Sequence, residues 1–255
     1  MAYWDYLTYL GHATVLVEVD GVRVMTDPVL RQGAALLHRM PNAADLRQYT
    51  DVDLVVISHL HHDHLDLPSL RMLRDDPLIV VPQGAERWMR SKGFTNVSEM
   101  APGDVLSYRG VTVRATIAVH SGKREPRGPV ALAVGYVLEA GPATVYFAGD
   151  TDIFPGMADL VLGELDVALI PVWGWGLVLG DGHLNPQSAA DAVALLKPRY
   201  AVSIHWGTLA VAGLHRLKFQ RMANPPHDFA EAVAKLDLDT EVLITHPGER
   251  IAFEP

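Results

Sequence analysis

Ser58-His59-Leu60-His61-His62-Asp63-His64-Leu65-Asp66 follows the apolar run Leu54-Val55-Val56-Ile57 without a break. That run is short and β-branched, the composition of a strand buried on both faces. Residues two apart in an extended segment share a face, so His59 and His61 can reach one metal ion together. Asp63 and His64 lie where the chain must turn and can point to a second ion. Imidazole nitrogen and carboxylate oxygen suit zinc, and also manganese or iron. The pattern H-x-H-x-D-H is filled at every fixed position, and His62 stands at a variable one with no assigned role. Pro68 opens a predicted helix, Pro68 to Arg74, with Asp66 placed to cap it.

The chain has 255 residues, 49% of them hydrophobic, enough for a sizeable core. No linker, charge block or low-complexity tract marks a boundary, so a single domain over residues 1–255 is expected. Cysteine is absent, so any metal site must be built from histidine and carboxylate. The net charge of −9 argues against a polyanion binder, and no nucleic-acid partner is expected. No apolar stretch reaches membrane-spanning length, and the opening Met1-Ala2-Tyr3-Trp4-Asp5 lacks the regions of a signal peptide. A cytoplasmic protein acting on a small molecule is the expectation, with a homo-oligomer left open.

Taken in order, Leu7–Leu10, Thr14–Val19 and Val22–Thr26 read as strands, with Asp20-Gly21 as a hairpin turn. Two polar residues interrupt this region, His12 and Asp27. A carboxylate at Asp27 either orients a metal-bound histidine or caps the turn before Pro28. Residues 29–50 lack periodicity and form a lid or a surface excursion. Strands are predicted at Leu78–Val81, Val97–Met100, Val105–Tyr108 and Val111–Val119, and a helix at Ala85–Lys92. His120 follows, then the basic loop Ser121 to Gly128, either a solvated connection or an anion-binding lip. Val130–Leu138 and Thr144–Ala148 pair through Gly141-Pro142, and Leu165–Pro171 runs into Val172-Trp173-Gly174-Trp175-Gly176. Trp173 and Trp175 between glycines suit a pocket wall better than a core. A helix from Pro186 to Leu196, a strand at Tyr200–Ile204, a helix at Asp228–Leu236 and a strand at Val242–Thr245 complete the chain. Apolar strands therefore end in His59, His120, Asp150 and His205. Strand ends at one sheet edge converge in space while far apart in sequence.

These residues resemble the metallo-β-lactamase-fold hydrolases. The likeness runs through Leu10-Gly11-His12-Ala13-Thr14, Thr26-Asp27-Pro28, Ser58 to Asp66, His120, Gly149-Asp150-Thr151, His183-Leu184-Asn185-Pro186 and His205-Trp206-Gly207-Thr208. The last two are similar to the branch holding N-acyl-phosphatidylethanolamine phospholipase D and L-ascorbate-6-phosphate lactonase. The resemblance implies an α/β (α+β) fold, a four-layer αββα sandwich of two mixed β-sheets flanked by helices, with two divalent ions at one edge. It places His59, His61 and His120 on the first ion, Asp63, His64 and His205 on the second, and Asp150 between them. Asp27 and His183 would lie behind the ligands or face the substrate, and His12, Trp173 and Trp175 are grouped with that surround. Zinc is favoured over manganese or iron. Cysteine-ligand β-lactamases are disfavoured.

Hydroxide is scarce at neutral pH, and zinc lowers the pKa of bound water from ~15.7 to about 7. The expected nucleophile is hydroxide held by both ions, with Asp63 orienting it and taking up its proton. His183 is expected to stabilise developing charge or protonate the leaving group. Three readings stay open: hydrolysis of a phosphodiester or phosphorylated small molecule, with Lys123, Arg124 or Arg127 on the phosphate; a lactonase or other carboxylic ester or amide hydrolase; and a non-hydrolytic metal-binding or redox protein.

Overall fold

Alternation with period two sorts the first hairpin: Val15, Val17 and Val19 enter one apolar cluster and Leu16 another. The computed structural model describes residues 4–40, 45–126, 128–161, 163–176, 178–213 and 224–252. The first half holds β1 (Trp4–Gly11), β2 (Thr14–Val19), β3 (Val22–Thr26), β4 (Gly33–Ala34), β5 (Leu37–Arg39) and β6 (Leu54–Val56). It continues through α1 (Leu67–Leu70), β7 (Leu78–Pro82), α2 (Glu86–Ser91) and β8 (Val97–Met100). The second half holds β9 (Val105–Tyr108), β10 (Val111–Ile117), β11 (Val134–Ala140), β12 (Ala143–Phe147) and β13 (Val167–Pro171). Then come α3 (Pro186–Leu196), β14 (Tyr200–Ile204), β15 (Leu209–Val211), α4 (Pro225–Ala234), β16 (Glu241–Leu243) and β17 (Arg250–Ile251).

Two large sheets share one wiring. The first runs β17-β1-β2-β3-β6-β7-β8 and the second β16-β14-β13-β12-β11-β10-β9. In each, an antiparallel meander passes into parallel strands, at β3/β6 in one and β12/β13 in the other. Their inner faces meet in a single cluster that joins Tyr9, Val17, Leu54 and Val56 to Tyr136, Phe147, Leu169 and Val202. The outer face of the first sheet packs Val55 and Ile79 on Leu70 and Met89. On the far side, Val137 and Ala168 pack on Ala189, Val193 and Phe229. The architecture is the expected αββα sandwich. Among the described residues, no helix is long and apolar enough to cross a membrane.

This wiring gathers chemistry at one edge. Parallel strands end together, so Asp27 after β3, Ser58 after β6, Asp150 after β12, Trp173 after β13 and His205 after β14 emerge at the carboxyl edge, where open α/β sheets bind ligands. Strand β10 stops at Ile117, opposite Val134, and carries His120 to the same edge.

Several elements depart from the sequence expectation. Helix α1 ends at Leu70 because the chain tightens into i+3 bonds (Met72 N to Ser69 O, 3.0 Å) and Arg74 N turns to Thr50 O, 2.9 Å. The strand predicted from Val130 begins at Val134, since Val130 makes only an isolated bridge with Lys123 and Leu132 N donates across to Gln83 O. Helix α4 starts at Pro225, not Asp228, with proline in its first turn. Of the 29–50 segment, residues 33–39 are tied to the second half: β4 and β5 form a three-stranded sheet with β15. Buried Arg39 donates to the carbonyls of Leu10, Val29 and Arg31.

Candidate metal centre

The His-rich loop leaves β6 under tight constraint. Ile57 N still pairs with Val80 O, and Leu65 N closes a turn on His61 O at 2.8 Å. Asp66 caps α1 by accepting from Ser69 N at 3.0 Å, and Arg31 forks onto the same carboxylate. From the other half, Arg124 Nη1 donates to Leu60 O and Leu65 O at 2.8 and 2.9 Å. Arg124 Nη2 also donates to His62 Nδ1, whose Nε2–H donates to Glu125 O. The described part of the basic loop is the exposed hairpin connection of the first expectation, closed by a bridge between Lys123 and Val130 and by Arg124 N to Pro129 O, with one side chain, Arg124, turned inward. Arg124 is buried in the protein and exposed Lys123 pairs with Glu125; Arg127 lies outside the described residues. Replacing Arg124 with Met should orphan two carbonyls at a cost of ~2–4 kcal/mol. Thermal unfolding should then shift down by roughly 5–10 °C; an unshifted midpoint would deny the loop this anchor.

Two clusters of ligand atoms face each other. His59 Nε2 lies 3.0 Å from His61 Nδ1, which lies 3.1 Å from His120 Nε2. His64 Nε2 and His205 Nε2 are 3.0 Å apart, with Asp63 Oδ2 at 3.7 and 3.9 Å from them. Asp150 stands between the groups. Its Oδ2 is 3.2 Å from His64 Nε2, 3.9 Å from His59 Nε2 and 4.0 Å from His120 Nε2. Its Oδ1 is 3.1 Å from His205 Nε2, yet is buried without a hydrogen bond. Metal–nitrogen bonds of ~2.0–2.1 Å at tetrahedral angles put neighbouring ligand atoms about 3.3 Å apart, close to these separations.

The protons are directed outward. His59 Nδ1–H donates to Ser58 Oγ (3.0 Å), His120 Nδ1–H to Gly182 O (2.9 Å), and His205 Nδ1–H to Trp173 O (2.8 Å). His64 Nδ1–H meets Asp27 Oδ2 at 2.6 Å. In each ring this arrangement turns the Nε2 lone pair inward, the tautomer a metal requires. Asp27 serves both clusters, because its carboxylate also accepts from Ser58 N and from the Ser58 hydroxyl that holds His59. Ser58 was not among the residues assigned a role from sequence; its place between a strand end and His59 was the available signal.

Burial lowers His59 well below its ordinary range and His120 to about 4, keeping both neutral. For His64 burial also pushes down, but Asp150, Asp63 and Asp27 outweigh it and raise the ring well above its ordinary value. Asp63 and Asp150 are pushed up by burial and pulled further down by the surrounding imidazoles, so both stay ionised. Carboxylates that raise a buried imidazole in this way demand positive charge, which a divalent cation fits. Asp27, His12 and His205 have φ of +33°, +57° and +62°, a left-handed backbone that non-glycine residues adopt chiefly where the surroundings enforce it.

The remaining expected residues divide. His183 Nε2 reaches Asp150 Oδ2 at 3.3 Å, its Nδ1–H directed to the carbonyls of Gly180 and Asp181. Trp173 is half-buried against the α3/α4 core and donates Nε1–H to Gly176 O, whereas Trp175 is exposed. His12 lies behind Asp63 and His205.

Comparison with known proteins points the same way. A family model described as a beta-lactamase superfamily domain matches residues 22–206, a span holding every candidate ligand from His59 to His205. A UPF0173 metal-dependent hydrolase of Methanopyrus kandleri is 33% identical over 249 residues, covering 95% of this chain and 97% of the relative. An N-acyl-phosphatidylethanolamine-hydrolyzing phospholipase D of Caenorhabditis elegans is 31% identical over 231 residues, 80% of this chain and 64% of that protein. Among solved structures, the metallo hydrolase Igni18 of Ignicoccus hospitalis aligns with a TM-score of 0.76 at 26% identity, covering 98% of both chains. The chain belongs to the beta-lactamase superfamily, among its metal-dependent hydrolases.

Proposed function

We propose that this hydrolase holds two divalent cations, zinc ahead of manganese or iron, and cleaves a phosphodiester or phosphorylated small molecule. The observation that carries the reading is Asp150, in reach of both ligand clusters while four imidazoles commit their outer nitrogens elsewhere. His59, His61 and His120 would hold one cation and Asp63, His64 and His205 the other, with Asp150 shared. Bound there, the cations supply Lewis acidity that lowers the pKa of water toward ~7 and polarises the attacked group. Asp63 orients the attacking water and receives its proton. His183, partly open to solvent with its side chain 23% exposed, is raised in pKa by contact with Asp150 against the lowering effect of burial. It is therefore placed to carry a proton to the leaving group. The same proposal takes residues 1–255 as one domain.

The named phospholipase D relative supports the phosphodiester class. A carboxylic ester or lactone is the second reading, favoured by one observation: Arg124 turns inward and Lys123 is tied to Glu125, so neither is committed to a phosphate. Metal analysis joined to a hydrolysis screen separates them. About two metals per chain with turnover of bis(p-nitrophenyl) phosphate is the expected result. Turnover confined to lactones or esters would move the assignment, and fewer than one metal with neither activity would end it.

A further inference from the structure

One buried imidazole at the centre has no part in that mechanism. His12 is 1% exposed and follows Gly11 on a left-handed backbone at φ +57°. Its carbonyl accepts the N–H of His205 at 2.8 Å, and its own N–H donates to Thr208 Oγ1 at 2.9 Å. The His12 and His205 rings lie with centroids 3.9 Å apart. On the other side, His12 Nε2 is 3.0 Å from Asp63 Oδ2. A single residue in the β1–β2 turn thus grips one candidate ligand from each large sheet.

We infer that His12 is a positioning residue: it donates Nε2–H to Asp63 and buttresses His205, setting the geometry of the second cation position. The inference rests on the two-cation reading. Asp63 Oδ2 is 3.7 Å from His64 Nε2 and 3.9 Å from His205 Nε2, both beyond hydrogen-bond reach. His12 is thus the near donor that selects the orientation of this carboxylate. His12 has a ring nitrogen within ligand range of Asp63, His64 and His205; its place behind the ligands follows from the proton its Nε2 directs to the Asp63 carboxylate, which leaves no lone pair there for a cation. Removing outer partners of this kind costs about 10–100-fold in metal affinity.

Two substitutions separate the contact from the backbone. Asparagine tolerates the left-handed region well but is too short to reach Asp63. Glutamine is less suited to that backbone, yet its amide N–H extends toward the position of Nε2. Zinc affinity would be read by competition with a chromogenic chelator, cobalt(II) absorption would report the ligand field, and thermal unfolding would check the fold. In His12→Asn, one of two zinc ions should bind about 10–100-fold more weakly, and His12→Gln should restore most of that loss. Better rescue by glutamine cannot arise from backbone strain, which favours asparagine. Wild-type affinity at both positions in His12→Asn would overturn the inference. So would a glutamine variant as impaired as asparagine with an altered cobalt spectrum, which would make His12 a ligand. Wild-type protein holding fewer than two ions would instead remove the two-cation reading, and this inference with it.

Discussion

Asp150→Asn should lower kcat by about 10³-fold or more and release metal from the purified protein. The substitution keeps the shape of the side chain and removes its charge. Asp150 is the carboxylate in reach of His59, His120, His64 and His205, with one oxygen buried and without a hydrogen bond. On the proposed two-cation site, losing a shared anion would weaken both positions together, and the Lewis acidity at stake amounts to several kcal/mol; about 4 kcal/mol corresponds to a factor of ~10³. Metal content by atomic emission, measured beside kcat, checks the result. Near-normal turnover with full metal content would take Asp150 out of the site.

Asp63→Asn is the second large effect and should split differently. His64 and His205 remain beside that position, and an amide oxygen still accepts from His12 and still offers a ligand atom. Metal content should fall less than in Asp150→Asn. What the amide cannot do is receive a proton, so kcat should drop by roughly 10²–10⁴ with KM little changed. A variant that loses metal in proportion to activity would make Asp63 a ligand without a proton-handling role.

The core and the gathering of the candidate ligands at one edge were legible because each rests on a strong local rule. Strands two residues in period assign Val15 and Leu16 to opposite faces, and the histidines and carboxylates stand directly after apolar strands. What escaped depends on distant partners. The two- and three-residue strands Gly33–Ala34 and Leu209–Val211 are too short to show periodicity, and they meet only through Leu37–Arg39. Val130 looks like the start of a strand, yet it makes only an isolated bridge with Lys123, and Leu132 N turns to Gln83 O. No pattern within Ser121 to Gly128 reveals that Arg124 turns toward Leu60 and Leu65 while Lys123 stays outside. His12 and His205 are far apart in sequence, and nothing local to either announces their contact.

On the proposed ligand set, the division of ligands between the two sheets would make cation supply a variable of folding. His59, His61, Asp63 and His64 follow a strand of one sheet, whereas His120, Asp150 and His205 follow strands of the other. An unfolded chain cannot assemble such a set, so by mass action each ion bound at a hundredfold excess over its Kd adds about 2.7 kcal/mol to the folded state. Two ions would then contribute an amount comparable to the ~5–15 kcal/mol that holds an ordinary domain together. The seam between the halves, closed by the shared apolar cluster and by hydrogen bonds such as those from Arg124 and Tyr136, would then become a joint whose strength follows the free metal concentration around it.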